Sequence, residues 1–226
     1  MIRIKYLFVL IAVLFICLTT LVSAVPKDTS TYIPVLMYHK IDDLGTPNTA
    51  VITSDRFKEH LKSLQDAGYE TIFESELLEY LNGDGTLPEK PAIITFDDGY
   101  LDNYTHAVPA LEQFDMKASI YVIVSYRGTK PGWNEHFGWE HAVEMIDSGR
   151  ISIQSHSYDS HHLIDDTRIG YLKGKLTLED GSVETEGQYE ARVRNDFTLS
   201  KQLIEEKTGQ RVVSFRSEEH TSELQS

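Results

Sequence analysis

Cysteine is almost absent from the sequence. Cys17 is the single cysteine among 226 residues, and it lies in an apolar N-terminal segment. A chain with one thiol cannot form an internal disulfide framework or a cysteine-ligated zinc site. Basic residues are also scarce, since 21 Lys and Arg stand against 35 Asp and Glu, which gives a formal net charge of −14. This balance argues against nucleic acid as a partner, because neutralising phosphates requires a basic face.

Long hydrophobic runs are missing except near the N-terminus. Arg3 and Lys5 precede an apolar run, and Val22–Ala24 offers a small-residue cleavage site. This pattern predicts a secretory signal over residues 1–24 and a polar linker over 25–32. An uncleaved membrane anchor is the alternative, because the run approaches the about 20 apolar residues of a membrane span. We therefore expect a secreted or cell-surface protein, which contacts a membrane only if this segment is retained.

Short apolar strands alternate with helical segments over residues 33–215. Strands are predicted at 33–38, 71–73, 92–96, 118–124, 151–153 and 211–215. Helices are predicted at 54–67 (with Ser54 as N-cap), 74–81, 103–114, 138–148 and 189–207, and an insertion at 165–187 contains a hairpin near Asp180. Such alternation is typical of an α/β fold with a parallel sheet covered on both faces. In a barrel version, functional groups lie at the C-terminal ends of the strands.

Two adjacent carboxylates follow one of these strands, in the segment Thr95-Phe96-Asp97-Asp98-Gly99. Neighbouring side chains at a strand end can point in different directions. One carboxylate can therefore bind a metal while the other stays free to accept a proton. Asp-Gly is also ordinary turn chemistry, so this segment alone does not decide between a site and a turn.

A histidine cluster follows another strand and adds to the case for a metal site. His156 and His161 are five residues apart, which is about 140° around a helix. On a strand they would face opposite sides, so they can converge only in a turn, and His162 is a rival for the second position. A solvated histidine-rich loop is the alternative. Two imidazoles and a carboxylate suit Zn²⁺ or a related divalent cation. Asp97 could then take a proton from water.

Together these two motifs resemble the polysaccharide deacetylases of carbohydrate esterase family 4, which share the NodB homology domain. The five-residue histidine spacing and the segments at 34–39 and 137–140 resemble the branch acting on exported β-1,6-linked N-acetylglucosamine polymers. The resemblance implies an α/β fold, an incomplete and deformed (β/α) barrel, as a partial deacetylase domain over residues 33–215.

The resemblance also implies a set of roles. Asp97 would be the catalytic base, with Asp98, His156 and His161 as ligands of a divalent cation, Zn²⁺ first and Co²⁺, Ni²⁺ or Mn²⁺ as alternatives. His39 and the backbone near Tyr100 would contact the substrate. The reaction would hydrolyse N-acetyl groups of a polysaccharide. A non-catalytic exported glycan-binding module and an O-acetyl polysaccharide esterase are the alternatives.

The C-terminal end departs from the family pattern. Residues 216–226 resemble the translated sequence of a common sequencing-library adapter, and we interpret them as a non-native tail. Arg216 is ambiguous, because the adapter would itself encode an arginine there. The family's Arg-x-Pro-Tyr and Leu-x-His segments, which orient the base and supply an acid, do not occur. We expect a chain with this ending to expose a sheet edge and to be weakly active or inactive.

Overall fold

The computed structural model describes residues 32–44, 48, 50–164 and 169–217. The predicted signal over residues 1–24, most of the linker and residues 218–226 lie outside the described residues. Within the described ranges, no helix combines the length and the apolar character needed to cross a membrane.

The described residues form seven β-strands and five α-helices. The strands are β1 (Val35–Tyr38), β2 (Lys40–Ile41), β3 (Val51–Ile52), β4 (Glu70–Thr71), β5 (Pro91–Phe96), β6 (Ala118–Val122) and β7 (Ile151–Ser155). The helices are α1 (Ser54–Asp66), α2 (Glu74–Asn82), α3 (Val108–Gln113), α4 (Trp139–Asp147) and α5 (Glu186–Thr208). A π-helical turn over Asn103–Ala107 precedes α3, so the single helix predicted at 103–114 is divided in two.

The main sheet is parallel and has the strand order β1-β5-β6-β7, with β4 pairing the start of β5. Every residue of β5, β6 and β7 is buried, as expected for a parallel sheet that is covered on both faces. The register pairs Tyr38 with Phe96, and Phe96 with Ile120. The α/β prediction is therefore confirmed, and among the described strands the sheet is open rather than closed into a barrel.

An aromatic cluster joins α1 to the central strands. The Phe57 ring lies 5.1 Å from that of Tyr38 and 5.4 Å from that of Phe96, in edge-to-face geometry. The predicted helical stripe packs into this core. The N-cap of α1 is Thr53 rather than Ser54, because the Thr53 side chain accepts from Arg56 N while the Ser54 hydroxyl donates to Asp43.

The strand predicted at 211–215 does not form, and side-chain amides replace its hydrogen-bond ladder. Gln154 Oε1 accepts from Val213 N at 2.9 Å and from Ser214 N at 3.0 Å. Ile153 N donates to Gln210 Oε1 at 2.6 Å. Among the described residues, a single parallel bridge from Ser155 to Phe215 is the strand-like pairing that remains in this segment. The segment therefore follows β7 without extending the sheet as a regular strand.

We predict that Phe57→Ala lowers the free energy of unfolding by about 3–5 kcal/mol, because removing a buried ring leaves a cavity in the core. Phe57 is 0% exposed. Urea unfolding of the metal-free protein measures the change. The control is Leu81→Ala at a side chain that is 69% exposed, where a change within about 0.5 kcal/mol is expected. Equal losses for the two variants would contradict this description of the core.

Candidate metal centre

The site lies where β5 and β7 end on the same edge of the sheet. Asp97 and Asp98 follow β5, and His156 follows β7. All three strands from β5 to β7 run parallel, so their carboxyl ends meet at one edge. Asp98 has φ 70° and Gly99 has φ 72°, which turns the chain sharply after Asp97. The two neighbouring carboxylates therefore contact different partners.

Asp98, His156 and His161 converge on one point. His156 Nε2 lies 3.5 Å from Asp98 Oδ1, and His161 Nε2 lies 3.1 Å from the same oxygen. One candidate ligand atom from each residue falls within 4.8 Å of the others. Asp98 and His156 are buried, and His161 is half-buried. These three residues could together hold a divalent cation.

The hydrogen bonding of His156 fits a bound cation. Its Nδ1 lies 2.8 Å from the carbonyl oxygen of Arg216, which can only accept, so Nδ1 carries the proton. In the neutral ring Nε2 is then an acceptor that faces Asp98 Oδ1, a buried oxygen that receives no well-formed hydrogen bond. Two acceptors facing each other favour a cation between them. Two imidazole nitrogens and a carboxylate oxygen form a donor set that suits Zn²⁺.

His162, the alternative second ligand, lies apart from this group. Its side chain is exposed, and its ring contacts that of Tyr171 with the centroids 4.2 Å apart and the planes tilted by 41°. The five-residue spacing is accommodated by a turn in which Ser157 has φ 101°. The structure therefore brings His161, and not His162, to Asp98 and His156.

Asp97 contacts Arg216 and does not belong to the group formed by Asp98, His156 and His161. Arg216 Nη1 donates to Asp97 Oδ1 at 3.0 Å and to Thr95 Oγ1 at 2.9 Å. His39 Nε2 lies 3.9 Å from Asp97 Oδ2. Asp97 therefore has a fixed orientation and a cationic partner of its own.

The two aspartates have opposite pKa shifts. Burial raises the pKa of Asp97 above its ordinary value, although the charges of Arg216 and His156 act against this rise. Burial also acts to raise the pKa of Asp98, but the nearby His161 imidazole, with smaller effects of His156 and Tyr100, outweighs it, and the pKa falls below its ordinary value. Adjacent carboxylates with diverging pKa values are typical of a site in which one group is a proton acceptor and the other stays ionised.

The sequence did not decide whether Arg216 belongs to the native domain or to the tail. Its backbone N–H donates to Ser155 O at 3.0 Å, and its guanidinium lies 4.7 Å from the centre of the Tyr121 ring. The interpretation of residues 216–226 as a non-native tail stays a prediction, and most of that segment lies outside the described residues. Whatever the origin of the arginine, its side chain is part of this site.

Arg127 holds the turn beneath the site, and sequence reasoning missed it because a single loop arginine forms no pattern. Its guanidinium donates to Asp98 O at 2.7 Å and to Gly99 O at 2.8 Å. Burial lowers the pKa of Arg127 to about 9. Burial and the nearby Arg127 charge lower the pKa of His136 to about 4. A Cβ at position 99 would lie 2.5 Å from Arg127 Nη1, so the close contact and the positive φ both require glycine.

The two residues expected to contact substrate lie at the edge of the site. The register that pairs Tyr38 with Phe96 places His39 beside Asp97. The Tyr100 ring contacts that of His136 with the centroids 4.8 Å apart and the planes tilted by 41°. A hydrogen bond from the Tyr100 side chain helps to lower the pKa of Asp98. Their roles toward substrate stay predictions.

Comparison with known proteins identifies a family. The model of the family described as polysaccharide deacetylase matches residues 84–218. The Bacillus subtilis (strain 168) protein YxkH is 40% identical over 127 residues, which is 56% of this chain and 43% of that protein. The poly-beta-1,6-N-acetyl-D-glucosamine N-deacetylase of Escherichia coli (strain K12) is 24% identical over 189 residues, which is 76% of this chain and 28% of that protein.

A solved structure with the same fold is that of IcaB from Ammonifex degensii. The TM-score is 0.68 at 26% sequence identity, and the match covers 82% of this chain and 73% of that one. By contrast, the chain spans less than half the length of the two curated relatives named above.

We predict that His161→Gln lowers the affinity for Zn²⁺ by more than about 100-fold, because the substitution removes a ligand. Loss of an outer-shell partner typically costs about 10–100-fold in affinity. His162→Gln is the matched control, since it removes a neighbouring imidazole that contacts Tyr171 instead of Asp98 and His156. Competition with a chromogenic chelator measures both affinities. Equal effects of the two substitutions, or a larger effect at His162, would contradict the ligand set.

Proposed function

Because the chain belongs to the polysaccharide deacetylase family, we propose that it is a metal-dependent hydrolase that removes N-acetyl groups from a polysaccharide containing N-acetylglucosamine. The observation that carries the proposal is the pair of adjacent buried carboxylates with separate partners. Asp98 faces two imidazoles, and Asp97 faces Arg216. A site with a ligand set and an independent base suits hydrolysis of an amide.

The ligand roles in this proposal fall on Asp98, His156 and His161. A divalent cation held there would supply Lewis acidity, which polarises the acetamide carbonyl and acidifies water. Zn²⁺ suits the donor set, and Co²⁺, Ni²⁺ and Mn²⁺ are the alternatives. The half-buried His161 leaves one side of the group accessible to a substrate.

Asp97 is the proposed general base. Its raised pKa makes it a better proton acceptor than an ordinary carboxylate, and Arg216 fixes its orientation. Asp97 takes a proton from the attacking water, and the water oxygen forms the new bond to the acetyl carbon. The proton that Asp97 has taken then passes to the leaving nitrogen as the C–N bond breaks, so acetate leaves and the sugar keeps a free amine. His39 beside Asp97 and the backbone near Tyr100 are proposed to line the space for the acetamide group.

The proposed substrate is an exported β-1,6-linked N-acetylglucosamine polymer, as the name of the Escherichia coli relative describes for that protein. The net charge of −14 is compatible with this substrate, because the polymer is neutral and deacetylation makes it cationic. Export through the signal at 1–24, with a catalytic domain at 33–215, is part of the proposal.

We predict that Asp97→Asn lowers the hydrolysis rate by about 10²–10⁴-fold, because a general base is lost, and leaves Zn²⁺ affinity nearly unchanged. An aryl acetate is the first probe, since its phenolate leaves without a proton donor. Acetate release from N-acetylglucosamine oligomers is the second. Asp98→Asn is the matched control and should lose Zn²⁺ affinity as well as rate. An Asp97→Asn variant with full activity on both probes would refute the assignment of the base.

The Arg216 contact predicts a pH effect. The Arg216 charge is the largest factor that lowers the pKa of Asp97, so Arg216→Met should raise that pKa further. The base must be deprotonated to act. As the pH is lowered, the activity of the variant should therefore begin to fall at a higher pH than that of the parent. The rate–pH profile with the aryl acetate measures the shift. Arg211→Met, at an exposed arginine, is the control and should leave the profile in place. An unshifted profile for Arg216→Met would contradict the role of this contact.

A further inference from the structure

A carboxylate outside the ligand set holds the loop that carries His161. Asp196 lies on α5 and is 7% exposed. Its Oδ1 accepts from Tyr158 N at 2.9 Å, and its Oδ2 accepts from Asp159 N at 3.1 Å and from Ser160 Oγ at 2.6 Å. One side chain therefore binds three consecutive residues, all of which lie between His156 and His161.

This loop needs such support because its conformation is not one that the backbone adopts readily. His156 and His161 can reach one ion only if the five residues from one to the other turn back. The turn is made with Ser157 at φ 101°, a region that side chains with a Cβ rarely occupy. Strained backbone persists when surrounding contacts over-determine it. Other hydrogen bonds also support the loop, from Ser160 N to Ser157 Oγ, from Val124 N to Ser157 O, from Ser125 N to Tyr158 O and from Ser125 Oγ to Asp159 Oδ1.

We propose that Asp196 is a positioning residue for the metal centre, whose carboxylate holds Tyr158–Ser160 in the turn that brings His161 to Asp98 and His156. The inference rests on the proposed function, because it concerns the same metal centre. Asp196 acts through the loop and is not itself in the ligand group. The helix predicted at 189–207 thus contributes to the geometry of the site.

The competing explanation is a structural role, in which Asp196 only attaches α5 to the loop. A structural contact would change the stability of the fold and leave the metal affinity of the folded protein unchanged. A positioning contact changes the metal affinity through His161. A double-mutant cycle separates the two, because coupled residues give non-additive effects.

The test uses Asp196→Asn in the full chain. The amide keeps one acceptor but turns a donor toward Tyr158 N or toward Asp159 N and the Ser160 hydroxyl, so at least one contact is lost with little change of size. We expect Zn²⁺ affinity to fall by about 10–100-fold, as for outer-shell partners of metal ligands. Asp180→Asn is the matched control, because Asp180 Oδ1 also accepts from a backbone N–H and a hydroxyl, both of Ser182, in the hairpin. It should leave the affinity unchanged.

The cycle adds His161→Gln. If Asp196 acts through His161, Asp196→Asn has little further effect on Zn²⁺ affinity once His161 is replaced. Additive losses, or an unchanged affinity alongside a lower free energy of unfolding in urea, would overturn the proposal. Ser160→Ala, which removes one of the three contacts, repeats the cycle with a milder change if Asp196→Asn does not fold. If His161→Gln alone leaves the Zn²⁺ affinity unchanged, the proposed ligand set is refuted. That result distinguishes failure of the proposed function from failure of this inference.

Discussion

Asp97 and Asp98 are adjacent at the end of β5, and they are only 2% and 4% exposed. Burying one ionised carboxylate is costly unless it is paired, and burying two neighbours adds their mutual repulsion. The structure meets this constraint by sending the two side chains to different partners. Asp97 meets the guanidinium of Arg216, and Asp98 meets the imidazoles of His156 and His161. The partners of Asp98 outweigh its burial and lower its pKa, whereas the burial of Asp97 outweighs the charge of Arg216 and leaves its pKa raised.

The parallel sheet makes that division possible. Asp97 and Asp98 come from β5, while the histidines come from beyond β7, so β6 separates the two sources. Tyr121 lies on β6. Its ring lies under Arg216, and its hydroxyl bonds to Glu74 at 2.8 Å and lies 2.9 Å from Ser214 Oγ. The strand that supplies no ligand therefore supports the arginine that orients the base.

Much of this arrangement could be predicted because it has a periodic or a local signal. The strands and helices follow apolar spacing, and the carboxylates and histidines stand directly after predicted strands. The spacing alone did not decide whether His161 or His162 is the second histidine ligand, since that depends on the path of the loop. The sequence did not predict that Gln154 Oε1 accepts the N–H groups of Val213 and Ser214. These bonds replace the pairing of a regular strand. Arg127 and Asp196 were missed because each acts through backbone atoms of a distant segment, which leaves no pattern in the sequence.

Arg127 shows why a buried cation can be useful at such a site. Its donors go to the carbonyl oxygens of Asp98 and Gly99, and its Nε donates to Ile123 O at 3.1 Å. A guanidinium with five donors in a fixed plane can bind several carbonyls at once, which a lysine cannot do. Because base and ligand are neighbours in sequence, any rotation of their turn would move both. Fixing the turn by its carbonyls leaves both carboxylates free for their own partners. The positive charge beneath the turn also partly offsets the cost of burying Asp98, since it favours the ionised carboxylate.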